Sequence, residues 1–113
     1  MELIERTVFS EHVDKTAAFY QLLLGRDPIV EEESIAIFEE GQTTLLVHET
    51  YEESKTNLPP DDHVAYAVED LDLTFNDLKN AGLEPFKEPA DYDWGRSGYL
   101  KDPDGRIVEL RET

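Results

Sequence analysis

The sequence predicts an α+β fold built from two β-α-β-β-β modules with mixed sheets, and three observations lead there. The spacing of apolar residues switches from strand-like to helix-like and back, and does so twice along the chain. Residues 51–61, "YEESKTNLPPD", carry no apolar period and contain Pro59-Pro60, so they read as a linker between the halves. Glu5 precedes His12 by the same interval as His63 precedes Asp70, which places equivalent residues at the strand and helix starts of a repeat about half the chain long. Residues 1–113 are expected to form one domain, with module 1 at about 1–50, the linker at 51–61 and module 2 at about 62–113.

The elements follow in order. Residues 3–10, "LIERTVFS", alternate as a strand does. In residues 12–24, Val13, Ala17, Tyr20 and Leu24 recur at helical spacing, and Gly25 stands where a helix C-cap glycine belongs. "IVEEESIAIFEE" and "GQTTLLVHET" read as two or three strands with a turn near Gly41. "HVAYAVE" restarts the pattern as a strand. Asp70 is an N-cap for a helix striped by Leu71, Phe75 and Leu78 and ending near Gly82. Residues 83–89, "LEPFKEP", are expected to be a short strand, and "GRSGYLK" and "GRIVELRE" to pair around Asp102-Pro103-Asp104-Gly105, where proline presets the turn and glycine closes it. Phe19, Tyr20, Phe75 and Leu78 are expected in the core. A module this small cannot bury both faces of its sheet, so the modules are expected to cover each other within the chain or across a homodimer.

Composition narrows the function. With 39% hydrophobic and 33% charged residues the chain is globular in character. No apolar run approaches the ~20 residues of a membrane span, and the N-terminus lacks the basic flank and apolar core of a secretory signal, so a cytoplasmic location is expected. The absence of cysteine excludes disulfides, thiolate metal sites and cysteine nucleophiles. Twenty-seven acidic residues against ten basic ones leave a net charge of −17, which repels phosphate backbones and attracts cations. Nucleic acid is therefore not an expected partner.

Glu109 raises the sharpest question, because it stands between Val108 and Leu110 on the returning strand of the terminal hairpin. A carboxylate on a half-buried strand face is costly unless it is paired or bound to a cation. Its partners are a metal ion, water, or Arg106 or Arg111. His63 opens a strand after Asp61-Asp62, where histidine is ordinarily a surface residue. His12, near Glu11 and Asp14, reads as surface. Phe86, Tyr92, Trp94 and Tyr99 cluster around the second module's hairpins, as core or as a ligand platform. Arg96 is suited to clamp an anionic group bidentately, or to pair with an acidic neighbour.

"AAFYQLLLG", "HVAYAVEDLDLTFNDLKNAG" and "WGRSGYLKDPDGRIVEL", in the doubled β-α-β-β-β order, resemble the vicinal oxygen chelate superfamily, also called the glyoxalase/bleomycin-resistance/dioxygenase family. The resemblance implies two modules whose curved sheets form a cup, often completed by a second subunit. It implies metal ligands on the first and last strands of each module, here Glu5, a residue near His48, His63 and Glu109. Glu5 replaces the histidine commonest in the family. The fourth position stays open: "VHETY" points to His48, whereas counting from Gly41 as from Gly105 to Glu109 lands on Leu45 and makes Val47 and Glu49 its same-face residues. Two imidazoles and two carboxylates suit Zn²⁺, Ni²⁺, Co²⁺, Mn²⁺ or Fe²⁺. Trp94, Arg96 and Tyr99 are the candidates for substrate contact.

Two functions of different class follow from the resemblance. One is a divalent-metal-dependent enzyme that chelates vicinal substrate oxygens and stabilises an enolate or oxyanion, with Glu109 or Glu5 as general base. The other is a metal-free protein that sequesters a cationic, drug-like molecule. A third possibility is a regulatory or interaction domain that keeps the fold without the chemistry.

Overall fold

The computed structural model describes residues 1–54 and 58–113; of the expected linker, residues 55–57 lie outside the described residues. The elements are β1 (Glu2–Ser10), α1 (Val13–Leu24), β2 (Val30–Glu31), β3 (Ile35–Glu40), β4 (Thr43–Glu49), β5 (His63–Val68), α2 (Leu71–Asn80), β6 (Lys87–Tyr92), β7 (Gly95–Lys101) and β8 (Ile107–Glu112). The β-α-β-β-β order thus occurs twice, in an α+β fold. By compactness the chain divides into Glu5–Asp62 and His63–Thr113, the latter with Met1–Ile4.

In the first unit the strands lie in the order β2-β3-β4-β1. β1 runs parallel to β4, and β3 is antiparallel to both of its neighbours. α1 buries Val13 and Ala17 against Ala36, Phe38, Leu45 and Val47, with Val8, Tyr20 and Leu24 at the margin. Gly25 ends the helix at φ 68°, a left-handed conformation that glycine adopts without steric cost, and its N–H donates to Gln21 O. Phe19 departs from expectation. It is 59% exposed, because the stripe of Val13, Ala17, Tyr20 and Leu24 faces the sheet and Phe19 stands a helical step off it.

The second unit has the order β5-β8-β7-β6, with β5 parallel to β8 and β7-β8 an antiparallel hairpin. Asp102 sets that hairpin's turn, its Oδ1 accepting the N–H groups of Asp104 and Arg106. α2 is capped twice: the Asp70 side chain accepts the N–H of Leu73, and Glu112 Oε2 accepts that of Leu71. The core is Val68, Leu71, Phe75 and Leu110, flanked by Tyr66, Leu78, Leu100 and Val108. The strand expected at 83–89 begins instead at Lys87 and runs to Tyr92. Leu83 is still tied to α2, its N–H donating to Leu78 O. Pro89, which has no N–H to give, is tolerated because β6 lies at the end of this strand order and its register shifts between Lys87 and Ala90.

Both units use one sheet face for the helix. Leu45 and Val47 face α1, so alternation turns Thr44, Leu46 and His48 to the other face, where Glu5, Thr7 and Phe9 stand opposite them. Val108 and Leu110 face α2, which turns Ile107, Glu109 and Arg111 away. No helix among the described residues is long and apolar enough to cross a membrane.

Candidate metal and ligand site

Glu109 stands on the helix-free face of the second unit, opposite Ala65 on β5 and Tyr99 on β7. It is 2% exposed, and its two oxygens have different partners. Oε1 lies 3.2 Å from His63 Nε2. Oε2 accepts from Ser97 Oγ at 2.8 Å and from Arg111 Nε at 3.1 Å and Nη2 at 3.0 Å. Ser97 pairs with Arg111 across the hairpin, so the same register that sets Tyr99 beside Glu109 brings the hydroxyl and the guanidinium to it.

Burial pushes the Glu109 carboxyl upward, but the hydrogen bond from His63, the charge of Arg111, the bond from Ser97 and the charge of His63 outweigh it and hold the group below its ordinary value. A buried carboxylate is therefore kept ionised with one oxygen tied down and the other facing an imidazole.

Aromatic rings line the same region. Tyr92 and Trp94 stack with centroids 4.6 Å apart and an interplanar angle of 5°. Tyr99 meets Tyr92 edge-on at 6.0 Å and His63 at 6.3 Å. Trp94, the only tryptophan, donates its indole N–H to Ser97 Oγ at 3.1 Å, which links the stack to the carboxylate through one hydroxyl. Burial and then the negative charge of Glu109 raise the Tyr92 hydroxyl above its ordinary value.

Of the expected substrate contacts, Trp94 and Tyr99 stand with Glu109 and Arg96 does not. Neighbouring Ser97 on β7, Arg96 points to the opposite face and donates to Asp72 of α2 and to Asp91 of β6. In so acidic a chain the pairing alternative prevails over the anion clamp.

The first unit places its two expected ligands on one face but far apart. Glu5 is opposite Thr44, whose hydroxyl donates to Oε2 at 3.4 Å, while Thr7 donates to Oε1 at 3.2 Å. His48 lies four residues further along β4, opposite Phe9, or ~13 Å along the strand at about 3.3 Å per residue. His48 instead keeps its Nδ1 at 2.7 Å from Glu49 O, with its ring beside Phe9 and Tyr51. Glu49 follows Val47 by two residues and falls on the helix-side parity.

The His63–Glu109 pair fits a divalent ion. Two adjacent ligands bonded at ~2.0–2.2 Å stand about 3 Å apart, close to the 3.2 Å observed between Nε2 and Oε1. Imidazole nitrogen with carboxylate oxygen suits Zn²⁺, Mn²⁺, Fe²⁺, Co²⁺ or Ni²⁺. Among the described residues no group of three or more His, Asp or Glu side chains that could hold an ion is found.

Residues missed by the sequence reading are Ser97, which bonds Glu109, and the direct assignment of Arg111 to the same oxygen. Counting back symmetrically from the Asp102–Arg106 turn pairs Ser97 with Arg111 and would have found both.

A family model described as Glyoxalase/Bleomycin resistance protein/Dioxygenase superfamily matches residues 4–110. The metallothiol transferase FosB of Shouchella clausii (strain KSM-K16) is 30% identical over 95% of this chain and 77% of its own length. The uncharacterised protein YraH of Bacillus subtilis (strain 168) is 30% identical over 97% of each. A Streptomyces coelicolor methylmalonyl-CoA epimerase variant, solved in complex with 2-nitronate-propionyl-CoA, superposes with a TM-score of 0.73 at 20% identity, covering all of this chain and 94% of the other.

Proposed function

Because the chain belongs to the glyoxalase/bleomycin resistance protein/dioxygenase superfamily, we propose that it is a divalent-metal-dependent enzyme acting on a small molecule, with His63 and Glu109 as a metal-binding pair. The observation that carries this reading is the buried, ionised Glu109 with Oε1 turned to an imidazole. The FosB relative, named a metallothiol transferase, supports metal use. A bound ion would supply Lewis acidity to oxygens of the substrate. The chain's own residues do the rest: Ser97 and Arg111 fix the carboxylate through Oε2, His63 presents Nε2 beside Oε1, and Tyr92, Trp94 and Tyr99 wall the site. A cysteine-free chain is consistent with our placing it in the cytoplasm.

The test is metal content of protein purified without a histidine tag. About one divalent ion per chain is expected, lost in Glu109→Ala and in His63→Ala. A wild type that is empty and cannot be loaded with Zn²⁺, Mn²⁺ or Ni²⁺ overturns the proposal. Ser97→Ala is expected to retain the ion with affinity weakened about 10- to 100-fold, as removing a partner of a ligand does; competition with a chelator reads this.

A second reading, sequestration of a cationic ligand without metal, is favoured by the parallel Tyr92–Trp94 stack beside a buried carboxylate in a chain of net charge −17. Trp94 is half exposed and is the sole indole emitter. Quenching of its fluorescence by a cationic aromatic drug in the empty protein would support this reading.

A further inference from the structure

We propose that Lys87 and Lys101 form an anion subsite, which receives the carboxylate or phosphate end of the small molecule held at His63 and Glu109. The inference rests on the metal-dependent reading above. It begins at Phe86, whose ring carries two cations. Lys101 Nζ lies 4.1 Å from the ring centre and Lys87 Nζ 5.4 Å.

Register puts these lysines on the face of the site. Lys87 stands opposite Tyr99, and Tyr99 opposite Glu109, in one row across β6, β7 and β8. Lys101 follows Tyr99 by two residues and pairs with Ile107. Alternation therefore sets both on the helix-free face that carries Glu109. With strands about 4.8 Å apart, the backbones of Lys87 and Glu109 lie ~10 Å from each other, a distance that a small molecule spans.

Charge says what the lysines await. The second unit has six Lys and Arg side chains. Lys79, Arg96, Arg106 and Arg111 each meet a carboxylate, whereas Lys87 and Lys101 form no ion pair among the described residues. Their neighbours in sequence are committed elsewhere. Glu88 holds Lys79 at 2.7 Å, and Asp102 accepts the N–H groups of Asp104 and Arg106 and pairs with the Arg106 guanidinium. In a chain of net charge −17, two amines without a carboxylate are the exception. One ring attracts both, but the amines repel each other, and an anion between them relieves that repulsion. The net charge repels free anions, so the anionic group arrives as part of a molecule anchored at its other end.

The test compares two straight-chain hydroxamic acids on Zn²⁺-loaded protein by calorimetry. One ends in a carboxylate about 10 Å from its chelating oxygens, the other in a methyl group. The carboxylate is expected to improve binding about 5- to 10-fold at low salt, an advantage that added salt reduces. Lys87→Gln with Lys101→Gln should abolish the preference while leaving the methyl-ended probe's affinity unchanged, which also shows that the variant folds. Lys79→Gln, the same loss of charge on the helix side, should keep it. A phosphonate end that binds tighter still identifies phosphate as the natural group; an equal or weaker one identifies carboxylate. Equal binding of the carboxylate- and methyl-ended probes by the wild type overturns the proposal, as does a preference that survives the double substitution. Where no ion can be loaded, the metal reading fails alone, and inorganic phosphate titrated into the metal-free protein decides for the lysines. Joint movement of the Lys87 and Lys101 side-chain NMR signals sustains the subsite, and its absence overturns it.

Discussion

Gly98→Ala is expected to destabilise the protein by about 1–3 kcal/mol, the range for forcing extra volume into a filled core. A Cβ at position 98 would stand 2.5 Å from Phe75 Cζ and 2.7 Å from Cε1, well inside van der Waals contact. The ring has little room to retreat, because Phe75 is buried with Leu71, Val68 and Leu110. Gly98 is what lets α2 lie directly on β7, immediately behind the residues that build the site. Its neighbours Ser97 and Tyr99 face Glu109, so strain that lifts β7 also moves the carboxylate's partners. Denaturant unfolding measures the cost, and Phe75→Leu should recover part of it in a double-mutant cycle, since the two sites couple through one contact. Unchanged stability in Gly98→Ala would contradict this packing.

Glu109→Ala is expected to cost on the order of 3 kcal/mol as well as the cation site, because it removes the buried carboxylate that Arg111, His63 and Ser97 share and leaves a cavity in its place. Glu109→Gln keeps the shape and removes only the charge. The sign of its pH dependence follows from the direction of the carboxyl shift. The folded group lies below the ordinary 4.5, so its stabilisation is complete above that value and is lost as pH falls through the folded one. The stability difference between wild type and Glu109→Gln is therefore expected to shrink on acidification below about 4.5. A difference that grows in acid would show that burial, not the His63 and Arg111 partners, dominates the carboxyl.

The repeat was legible because it is written in local chemistry. Asp70 caps α2, Gly25 ends α1, and Asp102 sets the terminal turn, each through bonds to backbone only a few residues away. Glu109 was legible because a carboxylate between apolar strand neighbours needs a partner, and His63 meets it. Less legible were features fixed by register. His48 differs from Leu45 and Val47 only in strand parity, and parity places it on Glu5's face, four residues further along. Arg96 differs from Ser97 by one residue and so by a whole sheet face. Phe19 has the composition of a core residue, and only the placement of α1 on its sheet reveals that it faces outward. The strand expected at 83–89 lies instead at Lys87–Tyr92, where Pro89 is admitted because β6 stands at the end of the strand order.

Anomalous diffraction from crystals soaked in Zn²⁺ tests the central claim most directly. The account predicts a peak about 2 Å from both His63 Nε2 and Glu109 Oε1, with Oε2 still held by Ser97 and Arg111. A fully soaked crystal with no peak there, and with the imidazole still hydrogen-bonded to the carboxylate, would contradict it.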